Sequence, residues 1–346
     1  MTSRPWTPPL ARRRFITITA AAAGLALIPI RGARPAVTVA DDAQRQLRIW
    51  RGVALGADAS LQIHHPDPIA ADRLIELCVA EVARLEKIFS LYRQNSAICR
   101  LNRDGFLDGP PIELVQLLGQ SHQFSRISGG MFDATVQPLW DLYASHFANP
   151  KADPAGPPST ALKATLKRVS FEAIELDADR ISFARPQMAI TLNGIAQGYI
   201  TDCVVDLLRS HGVNHTLVDM GELRAIGCRP TGGPWIVGLE DPTRQGEVAE
   251  RLTIDNLAVA TSGGYGTPID PLGRFNHIFD PTNGRTSWRY LSVSVVAPLA
   301  VTADALSTAF SLIPLERTEK IVKHLDIEAH FVLPNGTRIV QTRGVT

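Results

Sequence analysis

Between residues 69 and 92 apolar side chains recur at spacings of three and four. Leu74, Leu77, Cys78, Val82, Leu85, Ile88 and Phe89 fall on one stripe, which predicts an amphipathic helix. Two segments of strand character precede it, 46–55 and 59–64, ending at the turn His65-Pro66-Asp67-Pro68. A second helix is expected over 111–127, stopped by Gly129-Gly130, and a third runs from about 196 to His211 with Gly212 closing it. Residues 302–312 and 315–325 read as two more helices. Strand patterns appear at 171–176 and 180–184 around Asp177-Ala178-Asp179, at 188–192, 215–219, 235–239, 247–254, 258–261, 275–279 and 291–296. A terminal hairpin, 331–333 with 337–341, turns at Pro334-Asn335-Gly336. Strand hairpins mixed with grouped helices predict an α+β fold with mixed or antiparallel sheets rather than a doubly wound parallel sheet. The Pro-rich stretch 149–159 reads as a surface loop and marks a candidate boundary between two closely joined lobes.

Charge changes this picture at one end. Residues 1–40 carry six Arg and no acid; without them the chain has 29 basic against 34 acidic residues, a net of −5. An acidic body lacks the basic patch that nonspecific nucleic-acid binding needs, so no nucleic-acid partner is expected. Arg12-Arg13-Arg14-Phe15-Ile16 before an apolar run to Ile30 resembles a twin-arginine export signal, and the run is shorter than the roughly 20 residues of a spanning helix. Residues 1–40 are therefore expected to direct export to the periplasm, with residues 41–346 as the working domain. No Cys occurs before Cys78, so no lipobox cysteine is available. The four cysteines, Cys78, Cys99, Cys203 and Cys228, form no C-x-x-C pair; one or two disulfides are compatible with them, and Cys78 is expected as a buried thiol.

Most familiar chemistry is absent: there is no G-x-x-x-x-G-K-[ST], H-E-x-x-H, G-x-S-x-G or S-x-x-K, and no strand–G-x-G-x-x-G–helix unit. The adjacent His64 and His65 read as a strand-end surface pair. Four segments with glycine or small polar residues at element ends remain. They are Gly129-Gly130-Met131-Phe132-Asp133-Ala134-Thr135, Leu192-Asn193-Gly194-Ile195-Ala196-Gln197-Gly198 with Asp202 one turn on, Thr261-Ser262-Gly263-Gly264-Tyr265 through His277 to Gly284, and Thr302-Ala303-Asp304-Ala305-Leu306-Ser307-Thr308. Asp304 and Thr308, four apart, share one side of a helix, and Thr302 reads as its N-cap. A carboxylate and a hydroxyl there suit Mg²⁺ beside a helix start that favours phosphate. The alternative is that Asp304 only complements the helix dipole.

Together with Leu55-Gly56-Ala57 and Phe89-Ser90-Leu91-Tyr92-Arg93-Gln94-Asn95-Ser96…Arg100-Leu101-Asn102, these segments resemble the flavin transferase (FAD:protein FMN transferase, thiamine-biosynthesis lipoprotein) family over roughly residues 50–315. The resemblance implies a T-fold-like architecture with the FAD site between the two lobes, and Mg²⁺-dependent transfer of FMN from FAD to a Ser or Thr hydroxyl of an exported or membrane-bound redox protein, with AMP leaving. It further implies that Leu55, Tyr92, Met131, Phe132, Asp133, Thr191 and Gln197 bind the nucleotide. The Mg²⁺ ligands would be Asp304, Thr308 and the carbonyls of Gly194 and Ser307. Asp304 and His277 would serve catalysis, His277 as general base or as a hydrogen-bonding residue. Asp280 reads as a turn former. Three positions depart from the family pattern: Thr191 stands for its usual Asp, Gln197 for a frequent Lys, and Gly264 for an acidic or amide residue. These departures motivate two alternatives, a periplasmic FAD carrier and an FAD pyrophosphatase that uses water in place of the protein hydroxyl.

Overall fold

The structure, a computed structural model, describes residues 16–17, 47–229 and 232–342. Of the expected export segment, only Ile16 and Thr17 (β1) are among them. The chain then forms the hairpin β2 (Leu47–Ala54) and β3 (Ala57–His64), helices α1 (Pro68–Phe89) and α2 (Ala97–Asp104), β4 (Phe106–Asp108), α3 (Ile112–Ser128), α4 (Gln137–Phe147) and α5 (Ser159–Leu166). Next come β5 (Ile174–Leu176), β6 (Arg180–Phe183), α6 (Ala196–Ser210), β7 (Thr216–Asp219), β8 (Leu223–Ile226), β9 (Trp235–Asp241), β10 (Arg244–Ile254) and β11 (Ala258–Ser262). The chain closes with β12 (Ser292–Ala297), α7 (Ala300–Phe310), α8 (Leu315–Leu325), β13 (Glu328–Val332) and β14 (Arg338–Gln341).

Eight strands make one antiparallel sheet in the order β14-β13-β12-β11-β8-β7-β3-β2. Alternation along the strands gives each face its own core. Val218, Ala260, Val293 and Val295 join the helices' apolar faces, including Leu85, Ile200, Leu306 and Phe310. Leu217, Leu223, Val259 and Val296 face the opposite way, onto Trp235, Val237 and Ile254 of the β9–β10 hairpin. The result is three layers, helices over sheet over hairpin, as an α+β reading requires. A third, smaller cluster of Leu139, Tyr143, Val169, Ile269 and Phe279 joins α4 to the loop after β11.

Local chemistry sets the ends. Asp67 caps α1, accepting from the amides of Ile69 (2.8 Å) and Ala70 (3.3 Å), with Pro68 in the first turn. The β2–β3 turn is two residues long with positive φ at both, Leu55 (47°) and Gly56 (83°), the I′ pattern that suits a tight hairpin.

Several expected elements differ. Residues 188–192 are not a strand: the Asn102 amide takes the place of a neighbouring strand, donating to the Ile190 carbonyl (2.8 Å) and accepting its N–H (2.7 Å). Residues 275–279 keep only isolated bridges at Asn276 and Phe279, because the Asn276 side chain takes the Ile278 amide (2.9 Å). Helices α2, α4 and α5 and strands β4 and β8 appear where no element was expected. In α4, Trp, Tyr, Phe and His are poor helix formers, and in β8 Arg224 interrupts the apolar run. Helix α7 begins at Ala300, so Thr302 lies inside it and Leu299 occupies the cap position. On either side of the Pro-rich loop, α4 and α5 pack together. All four cysteines are free thiols; burial pushes the Cys78 thiol up to about 12. Among the described residues no helix is long and apolar enough to cross a membrane.

Candidate functional site

A cavity of about 580 Å³ lies where α7, the start of α6, the β2–β3 turn, the segment from Met131 into α4, and the loop after β11 converge. Leu55, Tyr92, Met131, Phe132, Asp133, Thr191, Gly194, Gln197, His277, Asp304 and Thr308 all line it. These residues span most of the chain, and the topology brings them to one place. Ser307 stands just behind this lining.

The floor is α7. Asp304 is 3% exposed and its Oδ2 accepts the Gly198 amide at 3.0 Å. Thr308 Oγ1 lies 3.3 Å from Ser262 Oγ, which is 2.8 Å from Ser307 Oγ. Gly194 presses against the same cluster: a Cβ there would stand 2.9 Å from Thr308 Oγ1. The Ser307 carbonyl, expected as a ligand, already accepts from both the amide (3.2 Å) and the hydroxyl (2.9 Å) of Ser311, so its hydroxyl is the oxygen that joins the cluster. The first α7 amides, expected to favour phosphate, are also taken. Asp202 on α6 accepts from Ala300 N (3.0 Å) and Val301 N (2.9 Å) and pairs with Arg224 Nη1 at 2.7 Å.

Among the residues expected to bind the nucleotide, the Asp133 carboxylate is held by three hydrogen bonds from protein. Oδ1 accepts from the amide and hydroxyl of Thr135 (2.8 and 2.6 Å), and Oδ2 from Phe171 N (3.0 Å). Burial raises its pKa against those bonds. Asp133 thus shapes the loop that presents Met131 and Phe132. Phe132 is 4% exposed and packs edge-on against Phe124, so it belongs to both core and wall. Thr191 accepts the Asn193 amide (3.2 Å), bracing the turn before Gly194. Leu55 holds its positive φ with its amide bound to Glu86 Oε1 (3.0 Å), a carboxylate that Arg93 also reaches (2.8 Å). Tyr92, 70% exposed, stands at the rim. Asp280 forms its own turn, accepting from Thr282 and Asn283.

Sequence reasoning missed part of the wall. Trp140, Ala144 and Phe147 of α4 line the cavity on one helical face, with Thr267–Pro271 nearby. Glu222, Ser262 and Asp270 also line it. Their signals were weak: α4 was unrecognised, and Ser262 stood inside a quoted segment as an ordinary small residue. Asp270 is pinned by Arg274 and the Phe275 amide; burial raises its pKa, but those hydrogen bonds win and hold it below the usual range.

The chemistry of the lining is one-sided. Asp133, Glu222, Asp270 and Asp304 line the cavity, and among the described lining residues there is no Lys or Arg. No group of three or more His, Cys, Asp or Glu suited to a metal occurs among the described residues. The donor set at Asp304 is one carboxylate with hydroxyls and backbone, which fits a hard cation sharing its shell with ligand oxygens rather than zinc.

The chain is 32% identical over 254 residues to an FAD:protein FMN transferase of Vibrio cholerae, covering 71% of this chain and 73% of that protein. It is 28% identical over 256 residues to one of Haemophilus influenzae, covering 70% and 73%. The flavinyl transferase ApbE of Pseudomonas stutzeri, in its apo form, superposes with a TM-score of 0.72 at 27% identity over 86% of this chain and 94% of that one. The ApbE protein of Thermotoga maritima gives 0.75 at 26% identity, covering 86% and 97%. The model of the ApbE family matches residues 55–331, and the chain belongs to that family.

Proposed function

We propose that this protein is an FAD:protein FMN transferase that moves FMN from FAD onto a Ser or Thr hydroxyl of a partner protein and releases AMP, with Mg²⁺ required. The observation that carries this reading is the cavity itself. It is large enough for a nucleotide, walled by aromatic and aliphatic side chains, and floored by α7 oxygens with four carboxylates and, among the described lining residues, no Lys or Arg. A pyrophosphate enters such a site only with its charge neutralised by a cation. Asp304, Thr308 and the Gly194 backbone would hold Mg²⁺, with the Ser307 hydroxyl alongside, and the ion would supply that neutralisation.

In the reaction the acceptor oxygen forms a bond to the FMN-side phosphorus while the bond to the AMP oxygen breaks, AMP leaving with the electron pair. The hydroxyl proton passes to a base, and His277 is the imidazole that lines the cavity. The α4 face and Phe132 bury the ring systems and exclude water, which favours the protein hydroxyl over hydrolysis. The arginine pattern at residues 12–16 supports a periplasmic site of action, and an exported or membrane-bound redox protein fits as acceptor.

The test is mass spectrometry of candidate acceptors incubated with the purified protein, FAD and Mg²⁺, with and without EDTA. A covalent gain equal to FMN on Ser or Thr, lost with EDTA, is expected. Free FMN and AMP without modification would replace this reading with a pyrophosphatase; intact, retained FAD across acceptors would replace it with a carrier.

A further inference from the structure

Helix α7 carries Asp304, Ser307 and Thr308, yet nothing on α7 itself fixes its start. Its cap residue, Leu299, makes no side-chain cap bond, and its first turn holds no acidic residue. The function of a cap is supplied from α6. Asp202 spans two consecutive amides, Oδ1 on Ala300 N (3.0 Å) and Oδ2 on Val301 N (2.9 Å). Adjacent helical residues point about 100° apart, so gripping two of them constrains rotation about the axis as well as travel along it. Asp202 is itself held by Arg224 from β8, at 2.7 Å, with side chains 11% and 5% exposed. One turn earlier on α6, Gly198 donates its amide to Asp304 Oδ2 (3.0 Å), and its bare Cα lets the Ala300 backbone come close.

A buried ion pair is an expensive way to cap a helix: desolvation offsets much of its attraction, and an apolar pair of similar volume is often as stable. What the pair supplies that an apolar contact lacks is a defined geometry. Ala300 to Thr308 spans about 12 Å at the α-helical rise, so a slip at the cap is carried along the rigid helix to Thr308.

We propose that Asp202, locked by Arg224, is a positioning residue for the site: by holding α7 at a fixed depth and rotation it sets where the oxygens of Asp304, Ser307 and Thr308 stand. This rests on the reading that α7 carries the cation- and phosphate-facing oxygens. Asp202→Asn preserves shape while leaving one acceptor for two amides. With Mn²⁺ as the spectroscopic probe, bound ion is counted by electron paramagnetic resonance in the presence of FAD, and amide exchange is followed over residues 300–308.

The variant is expected to bind Mn²⁺ at least tenfold more weakly and to exchange faster in α7. Its kcat for FMN transfer should drop tenfold or more while KM for FAD stays within about threefold, since misplacement of about 1 Å can cost 10²-fold. Thr318→Val in α8, which removes the bond to Gln341, serves as a destabilised control away from the cavity. If that control loses Mn²⁺ affinity equally at equal melting temperature, or if Asp202→Asn matches wild type within twofold in affinity and exchange, the proposal is overturned. Should Asp202→Asn fail to fold, Arg224→Gln keeps both acceptor oxygens but frees them to move. A threefold or greater loss of Mn²⁺ affinity is then expected, and an unchanged affinity overturns the proposal. A wild-type protein that binds Mn²⁺ without transferring FMN would refute the assigned activity alone, because affinity and exchange still judge the pair.

Discussion

Substituting Gly198 by Ala tests how closely the site depends on the α6–α7 crossing. A Cβ at Gly198 would lie 2.4 Å from the Ala300 carbonyl oxygen, 2.6 Å from its carbon and 2.7 Å from Val301 Cα. All three are backbone atoms, so no side chain can swing away. Restoring an ordinary 3.4 Å contact requires the helices to part by about 1 Å. In an unconstrained helix the change would stabilise by about 1 kcal/mol. Here overpacking costs about 1–3 kcal/mol, and stretching the Gly198 amide away from Asp304 costs a further ~1.5–3 kcal/mol for a bond to a charged group. The losses win, leaving a net destabilisation of about 1.5–5 kcal/mol, which at roughly 2–4 °C per kcal/mol lowers the melting temperature by about 3–20 °C. Because the same displacement moves Asp304, FMN transfer measured well below the transition should fall by about 10²-fold. Differential scanning calorimetry and a single-turnover assay read the two effects. A variant as stable as wild type, or more so, would refute the close-crossing account outright.

Asp304→Ala should reduce transfer by about 10²–10³-fold with FAD retained more weakly, measured by product mass and flavin fluorescence; unchanged turnover removes Asp304 from the site. Leu55→Asn places a residue tolerant of positive φ at the strained turn, so the melting temperature should hold within about 2 °C while FAD affinity falls several-fold as an apolar wall contact is lost. His330 is buried between Glu328 (2.6 Å) and Glu250 (3.2 Å); burial lowers its pKa, but the carboxylates overcome this and raise it above 6.5. Its stabilising charge is therefore complete below 6.5 and lost as pH rises through the raised folded value, so denaturation of His330→Gln should show a flatter fall in stability above pH 6.5. An identical slope in both proteins would exclude the imidazolium as its source.

Elements with strong periodicity were legible in the sequence: α1, α3, α6 and α8 lie within a few residues of where apolar spacing and glycine stops predicted them. The residues of the candidate site, which the fold gathers at one cavity, were legible because they sit at element ends, where glycines and small polar residues stand out. What escaped was set by tertiary partners. The strand pattern at 188–192 is genuine, but the Asn102 side chain took its hydrogen bonds. The α7 start could not be read locally, because its cap, Asp202, lies nearly a hundred residues earlier. The α4 wall escaped because its aromatic residues carry little helix propensity and are held by Phe275 and Phe279 across the cluster.

Thr191, Gln197 and Gly264 each have a local physical setting. Thr191 braces the Gly194 turn through Asn193. Gln197 lies over Gly221, where a Cβ would stand 2.1 Å from Nε2, so its amide fills space that a side chain at 221 would need. At Gly264 a Cβ would come 2.5 Å from Asn276 Nδ2 and 3.1 Å from Trp288 Cζ3. Asn276 is fully buried and holds the chain on both sides of the His277 segment, donating to the Ser287 carbonyl (2.8 Å) and accepting from Ile278 N (2.9 Å). A side chain at 264 therefore acts on His277 through Asn276. Gly264→Ala should cost about 1–3 kcal/mol by overpacking. Asn276→Ala should cost a similar amount, because the Ile278 amide loses its partner. If the two residues compete for one space, the double variant will be more stable than the sum by about 0.5–3 kcal/mol, the coupling expected of contacting residues. Additive losses in chemical denaturation would mean that Gly264 does not act through Asn276.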